Sequence, residues 1–230
     1  MRNRDARIAG LFYLAAIVAG WFTLMYVPDK LIVTGDAVAT AQNILANPSL
    51  FRAGMVGDLV TGVVWLGVVL ALYRLLGDVD RTQANLMVVL GAFLQVPLYF
   101  VNVVNYVAAL LLVQGAPFLS VFSEGQRDAL AMLFLRLHHF ELLASFVFAG
   151  LWLFPFGVLV YKSGFLPRVL GIWLVLDCFA WLAISLNGFL TPQYAGIVGT
   201  ITFPITFAEV AITLWLLVAG ARPSPSGVTS

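Results

Sequence analysis

The chain has 230 residues, of which 62% are hydrophobic and only 10% are charged, and its formal net charge is +1. A soluble domain carries roughly a quarter charged residues, so this chain has too few to cover a globule in water. The near-neutral charge gives no basis for nucleic-acid binding, and the apolar blocks are too long for the alternating segments of a β-barrel. We therefore predict an all-α integral membrane protein that is embedded in the lipid bilayer, its main binding partner.

Six apolar blocks separated by short polar connections predict a bundle of six transmembrane helices. Most are at least as long as the roughly 20 residues that a bilayer requires. The predicted spans are Ile8–Val27, Ala53–Leu76, Ala84–Val113, Ala129–Tyr161, Val169–Leu186 and Ile197–Leu217. We expect one six-span domain over residues 1–222, followed by a short disordered C-terminal tail at residues 223–230.

The first apolar block follows three arginines and therefore resembles a secretory signal peptide. It is about 20 residues long, which exceeds the usual apolar region of such a peptide. Trp21 and Tyr26 stand at its far end, as aromatic residues do at a membrane surface. We interpret the block as an uncleaved first span.

The first loop, residues 28–50, is long enough to contain a short helix at the outer membrane surface. Thr34 or Asp36 is suited to cap its beginning, because a side-chain oxygen accepts from the free N–H groups of the first turn. Val38, Ile44 and Leu45 are spaced to line one face of this helix. Further along the chain, Pro97 and Pro155 are expected to interrupt the third and fourth spans.

The distribution of Lys and Arg predicts the orientation of the chain. With a cytoplasmic N-terminus, the inner side holds Arg2, Arg4, Arg7, Arg74, Arg81, Lys162, Arg168 and Arg222. The opposite side holds Lys30, Arg52, Arg127 and Arg136. Both termini are therefore predicted to be cytoplasmic.

Polar and charged side chains interrupt five of the apolar blocks, although such groups are costly in hydrocarbon and normally have a partner. Helix direction and the rise of about 1.5 Å per residue place most of them in the outer half of the membrane. We predict that they form a ligand-binding or ion-pair cluster: Arg52, Asp58, Asn102, Asn105, Arg136, His138, His139, Glu141 and Glu209. Within this cluster Arg136 is expected to meet a carboxylate of Asp58, Glu141 or Glu209, because arginine stays charged.

The histidine and cysteine content limits the possible cofactors. His138 and His139 are adjacent on one helix, so they cannot bind one haem iron from opposite faces, and a three-histidine zinc site is impossible. Cys178 is the only cysteine, which excludes an intrachain disulfide. His138 and Glu141 are weak metal-ligand candidates at H-x-x-E spacing, a pattern of low specificity. We predict no cofactor.

Several motifs resemble those of the bacterial membrane family called Domain of Unknown Function 4386. They are Gly35-Asp36-Ala37, Phe51-Arg52 with Asp58, Leu137-His138, Gly150-Leu151-Trp152, the segment Tyr161 to Arg168, and Glu209 followed by Leu214-Trp215-Leu216-Leu217. The resemblance covers nearly the whole chain and implies six spans, a bacterial origin and a location in the plasma (inner) membrane. It implies no activity, and the family pattern contains only the first of the two histidines.

Three functions are compatible with the sequence. The favoured one is binding or transport of a small polar molecule or a lipid headgroup by the outer-half cluster. The second is a membrane-embedded, lipid-acting and metal-assisted hydrolase, which is disfavoured because no nucleophile elbow, P-loop or complete metal set occurs. In the third, the cluster is structural and the protein is a non-catalytic or sensory subunit. The sequence does not predict an oligomeric state.

Overall fold

The computed structural model describes residues 2–221, so Arg222 and the predicted tail at residues 223–230 lie outside the described residues. Within residues 2–221 the chain is helical and contains no β-strand. In this described part of the chain, six helices are long and apolar enough to cross a membrane: Arg2–Leu31, Pro48–Leu76, Arg81–Gln114, Glu124–Lys162, Arg168–Leu190 and Pro192–Val218. We number them spans 1 to 6, and they confirm the predicted fold class.

Residues 2–221 form eleven α-helices and a few turns of other helical types. The α-helices are α1 (Arg2–Trp21), α2 (Val27–Leu31), α3 (Ala37–Ala46), α4 (Pro48–Leu76), α5 (Arg81–Val88), α6 (Gln95–Gln114), α7 (Glu124–Leu151), α8 (Leu153–Lys162), α9 (Arg168–Leu190), α10 (Ala195–Thr206) and α11 (Ala208–Val218). π-helical turns at Phe22–Tyr26 and Val89–Leu94 interrupt spans 1 and 3, and 3₁₀ turns cover Pro117–Leu119 and Pro192–Tyr194. The helices extend beyond the predicted apolar blocks, because hydropathy detects only the lipid-soluble part of a helix.

Helix irregularities lie directly before the two prolines that the sequence singled out. Pro97 is the third residue of α6, which follows the π-helical turn Val89–Leu94. Pro155 is the third residue of α8, which follows a break at Trp152. Proline lacks the N–H that would continue the regular ladder, so the preceding turn changes its hydrogen-bond pattern. A similar break at Phe207 follows Pro204, and this break was not predicted.

The predicted helix in the first loop is α3, and Asp36 is its N-cap. The Asp36 carboxylate accepts a hydrogen bond of 2.9 Å from the Ala39 N–H. Val38, Ile44 and Leu45 do not line one face of α3 as expected. Ile44 is buried together with Thr40 and Ala41, whereas Val38 and Leu45 are each 51% exposed.

The described chain divides into two compact units. Unit 1 contains residues 2–16, 64–96 and 143–221, and unit 2 contains residues 17–63 and 97–142. Spans 1 to 4 each contribute a segment to both units, whereas spans 5 and 6 belong to unit 1.

The interior of unit 1 combines a close helix crossing with a group of aromatic side chains. A Cβ atom added to Gly157 would lie 2.6 Å from the Gly171 carbonyl oxygen, so only glycine permits the observed contact between α8 and α9. The buried indole of Trp65 donates a 3.0 Å hydrogen bond to the Gly91 carbonyl and packs edge-on against Trp152. Small residues at helix crossings and bulky aromatic residues between them are typical of membrane helix packing.

Unit 2 has its own apolar core, which surrounds the first loop. The core residues are Val27, Leu31, Ala41, Ile44, Phe51, Tyr106, Ala109, Leu110, Leu112, Val113, Ala131 and Leu135. Ala41 and Ile44 of α3 belong to this core. Two side chains of α3 also hold it against the end of span 1: the Val33 N–H donates to the Thr40 hydroxyl at 2.9 Å, and the Asn43 amide donates to the Leu31 carbonyl at 3.3 Å. The loop is thus an integral part of unit 2.

Candidate functional site

A buried polar contact joins α4 to α7 inside unit 2. Asp58 on α4 and His138 on α7 are both buried, and their Oδ2 and Nε2 atoms are 3.4 Å apart. The imidazole stacks on the Tyr106 ring of α6, with centroids separated by 3.8 Å and planes inclined by 23°. Tyr106 in turn packs edge-on against Phe51. The contact is long for a hydrogen bond, and an aromatic layer shields it from solvent.

A second set of hydrogen bonds joins α6 to α7 beside this contact. The Asn102 amide donates to the His138 carbonyl, and the Asn105 amide lies within 3.1 Å of both the Asn102 and Glu141 side-chain oxygens. Asn102 and Asn105 are three residues apart, as are His138 and Glu141, so each pair lies on one face of its helix. The structure therefore brings together five of the nine predicted residues, namely Asp58, Asn102, Asn105, His138 and Glu141. Whether they serve a ligand stays a prediction.

A cavity of about 360 Å³ lies at the surface of unit 2, beside the start of the first loop. It is lined by Pro28, Asp29, Ile32, Thr34, Met132, Leu135, Arg136 and His139. Arg136 and His139 face a different side of α7 from His138, and both are exposed. The cavity thus presents a permanent cation, an imidazole, a carboxylate and a hydroxyl to one space.

Arg136 has no carboxylate partner within residues 2–221, contrary to the expectation from the sequence. The ion-pair contacts of this part of the chain are His138–Asp58 and Lys162–Asp80. Asp58 faces His138, and Glu141 accepts from Asn105. Arg136 does not require a buried counter-charge, because its side chain lies in the exposed cavity. Arg52 is also exposed and does not line the cavity.

Glu209 belongs to unit 1 and has different partners from those expected. The Tyr13 hydroxyl and the Trp181 indole both donate to its carboxylate, the latter at 3.0 Å. Asp177 lies one helical turn before Trp181 and is fully buried, and its two oxygens have no hydrogen-bond partner among the described residues. The sequence could not indicate Tyr13 or Trp181, because a single aromatic residue in an apolar helix is usually a packing residue.

An exposed ion pair connects two polar turns of unit 1. The Lys162 ammonium donates to the Asp80 carboxylate at 2.8 Å, and Asp80 also accepts from the Gln83 N–H at the start of α5. The hydrogen bond from Lys162, followed by that from Gln83, lowers the pKa of Asp80 below its ordinary value of 3.8. Asp80 is thus both a helix cap and an ion-pair partner.

Within residues 2–221, no group of three or more His, Cys, Asp or Glu side chains is arranged to hold a metal ion. His138 and Glu141, the weak metal candidates, instead take part in the hydrogen bonds described above.

The six apolar helices define the chain as a multi-pass α-helical membrane protein. It belongs to the family described as Domain of unknown function (DUF4386), whose model matches residues 8–220. This confirms the resemblance found in the sequence. An uncharacterized protein of Archaeoglobus fulgidus is 35% identical to it over 80 residues, which are 35% of this chain and 46% of that protein. The match thus spans slightly less than half of the relative. No solved structure matches the chain.

Proposed function

We propose that the protein binds a small polar group with an anionic oxygen, either a small molecule or a lipid headgroup, in the cavity of unit 2. The observation that carries this proposal is the position of Arg136, an unpaired cation among the described residues that lines a cavity of about 360 Å³. Ligand cavities commonly have volumes of roughly 300–1,000 Å³ and combine apolar walls with a few polar groups. This cavity has both features.

The polar groups of the cavity suit a zwitterionic ligand. The Arg136 guanidinium offers a planar set of donors that matches a phosphate or carboxylate. His139, on the same helix, adds an imidazole group to the cavity wall. Asp29 offers a carboxylate that can accept hydrogen bonds from an ammonium group. A phosphoethanolamine group carries both charges and is small enough to serve as the probe.

We further propose a bacterial plasma-membrane location with both termini in the cytoplasm. The support is the uneven distribution of basic residues between the connections and span ends on the two predicted sides of the membrane. Among the described residues, the side of the N-terminus holds Arg2, Arg4, Arg7, Arg74, Arg81, Lys162 and Arg168, whereas the opposite side holds Lys30, Arg52, Arg127 and Arg136. The positive-inside rule then assigns the side of the N-terminus to the cytoplasm. On this orientation the first loop and the cavity beside it are extracytoplasmic.

The binding proposal is tested with purified full-length protein and soluble phosphoethanolamine, using isothermal titration calorimetry. Arg136→Gln should weaken binding by about tenfold or more, since a hydrogen bond to a charged group contributes about 1.5–3 kcal/mol. Arg52→Gln is the matched control, because Arg52 is an exposed arginine of the same unit outside the cavity. Absence of saturable binding, or equal losses in the two variants, would contradict the proposal.

Transport is the extension of this proposal that the shape of span 1 favours. The π-helical turn Phe22–Tyr26 directly precedes α2, and two residues of α2, Pro28 and Asp29, line the cavity. Interrupted helices next to a binding site are a recurrent feature of transporters. Uptake of labelled phosphoethanolamine into proteoliposomes, reduced by Arg136→Gln, would support transport. Binding without uptake would limit the function to binding.

The second candidate is a structural role for the buried hydrogen-bond network that joins α4, α6 and α7. Asp58, His138, Asn102, Asn105 and Glu141 are paired with one another or with backbone groups. A network of this kind can serve to hold helices in register rather than to bind a ligand. It predicts that substitutions in the network lower stability, whereas Arg136→Gln lowers ligand affinity alone. A lipid-acting hydrolase stays a prediction from the sequence.

A further inference from the structure

Two neighbouring cavities of unit 1 share two charged residues. The larger has a volume of about 580 Å³ and the smaller about 160 Å³, and Asp5 and Arg74 line both of them. The larger cavity is mainly polar, and the smaller one is mainly apolar. The site is separate from the cavity of unit 2 and shares no residue with it.

The larger cavity collects basic side chains from three helices: Arg2 of α1, Arg74 of α4 and Lys162 of α8. Lys162 is paired with Asp80, while the Arg2 guanidinium lies 4.7 Å from the centroid of the Phe165 ring. Within the described residues, Arg2 and Arg74 are in no ion pair. Two arginines therefore remain available for an anion. Basic pockets between membrane helices are typical sites for anionic headgroups.

Two carboxylates also line this cavity and restrict the kind of anion that fits. Asp5 and Asp78 would repel a bare phosphate, but they can accept hydrogen bonds from hydroxyl groups. A phosphate diester that carries hydroxyl groups satisfies both the arginines and the carboxylates. A glycerol headgroup has this composition.

The smaller cavity is an apolar groove between α1 and α4. Its apolar walls are Ile8 and Phe12 from α1 and Leu70 and Ala71 from α4, with Gly67 below the Phe12 ring. A Cβ atom on Gly67 would lie 2.6 Å from that ring, so the glycine allows Phe12 to lie against α4. Arg74 follows Leu70 by one helical turn and stands where the polar and apolar cavities meet.

We infer that these two cavities together bind a glycerophospholipid with a phosphate diester and a hydroxyl-bearing headgroup. Arg74 and Arg2 contact the phosphate, and Asp5 and Asp78 accept from the headgroup hydroxyls. One acyl chain lies along Ile8, Phe12 and Leu70. Phosphatidylglycerol has the required chemistry, whereas the choline group of phosphatidylcholine has no hydrogen to donate.

Native mass spectrometry of the delipidated full-length protein tests this site. It measures the bound fraction of dioleoyl phosphatidylglycerol, dioleoyl phosphatidylcholine and, in a separate arm, glycerol 3-phosphate without acyl chains. Arg74→Gln should reduce phosphatidylglycerol affinity by about tenfold or more, as expected for a charge-assisted contact. Arg7→Gln is the matched control, because Arg7 is an exposed arginine of α1 that lines neither cavity.

The apolar groove is tested with Leu70→Trp, whose larger side chain should obstruct the acyl chain. Leu66→Trp places the same ring one turn earlier on α4, outside the groove, and serves as its control. The inference requires that phosphatidylglycerol bind more tightly than phosphatidylcholine, and that Leu70→Trp weaken its binding while Leu66→Trp does not. Equal losses in Arg74→Gln and Arg7→Gln would indicate diffuse charge attraction and overturn it. Binding of glycerol 3-phosphate that matches that of the lipid, unaffected by Leu70→Trp, would overturn the lipid assignment.

Discussion

The contact between Asp58 and His138 links two helices through groups that lipid would not solvate. Both side chains are buried, and the stack of His138 on Tyr106 fixes the orientation of the ring. A buried polar group that loses its partner is destabilising, whereas removing both partners is nearly neutral. The contribution of the pair is therefore measurable with single and double variants.

We predict that Asp58→Leu destabilises the detergent-solubilised protein by about 1–3 kcal/mol, because the His138 nitrogen loses its partner. His138→Phe retains an aromatic ring against Tyr106 but leaves Asp58 unpaired, with a similar loss. The double variant should recover much of the stability. Thermal unfolding measures all three, and strictly additive losses in the double variant would show that the two residues do not act as a pair.

The sequence predicted the residues of this network better than it predicted their partners. Asn102, Asn105, His138 and Glu141 were all predicted as members of the cluster, and they are joined by hydrogen bonds between α6 and α7. Arg136 was expected to find a carboxylate, but it lies in an exposed cavity instead. Helical spacing fixes which residues share a face, whereas the rotation of the helix relative to its neighbours depends on packing across the whole unit.

Among the helices, α8 and α9 make a close backbone contact that depends on glycine. An added Cβ atom at Gly157 would lie 2.6 Å from the Gly171 carbonyl oxygen, a backbone atom that cannot move independently. We predict that Gly157→Ala destabilises the protein by about 1–3 kcal/mol through overpacking. Chemical or thermal unfolding in detergent is the measurement.

Gly196→Ala is the control for this prediction, because a Cβ atom there would meet no atom within 4 Å. Alanine is the better helix former, so this change in α10 should be neutral or stabilising. A loss of stability in Gly196→Ala as large as that in Gly157→Ala would contradict the close-contact explanation.

The ion pair at the start of α5 should make a small pH-dependent contribution. Hydrogen bonds from Lys162 and Gln83 lower the pKa of Asp80 in the folded state, so the stabilisation is fully present above the unfolded value of 3.8. It is lost as the pH falls through the lower, folded pKa. Asp80→Asn retains a capping oxygen but loses the charge, so its thermal stability should lie slightly below that of the wild type near pH 7.

The difference between Asp80→Asn and the wild type should therefore vanish at acidic pH. It should also be small throughout, since the pair is exposed. A difference that is constant across the pH range would show that Asp80 acts only as a helix cap. Lys162→Met provides the reciprocal measurement, because it removes the cation and leaves the cap in place.

The polar helix beginnings were more predictable than the irregularities within the spans. Asp36 caps α3 as predicted, because a capping signal depends on a few neighbouring residues. The prolines indicated where the third and fourth spans would be irregular. The π-helical turn Phe22–Tyr26 contains no proline and could not be located from the sequence.

At the scale of the whole molecule, hydropathy and length were sufficient to predict six spans. The connection at residues 32–47, by contrast, is packed into the core of unit 2 through Ala41 and Ile44, and these contacts depend on the folded arrangement. The division into two units could not be predicted either, because four spans contribute to both.

The proposed orientation predicts which connections an impermeant reagent can reach from outside the cell. Ser120→Cys should react with an impermeant maleimide in intact cells, whereas Thr82→Cys should react only after the cells are lysed, since both positions are exposed. Wild-type protein is the control, because its only cysteine, Cys178, is buried. Labelling of Thr82→Cys in intact cells would contradict the proposed orientation and indicate the opposite one.

The binding proposal makes one claim that an experimental structure can test directly. A cryo-electron microscopy structure of the protein in nanodiscs that contain phosphatidylethanolamine should show non-protein density in the cavity of unit 2. This density should contact Arg136, His139 and Asp29. A cavity that contains only disordered solvent, or one that is closed by an Arg136–Asp29 ion pair, would contradict the proposal.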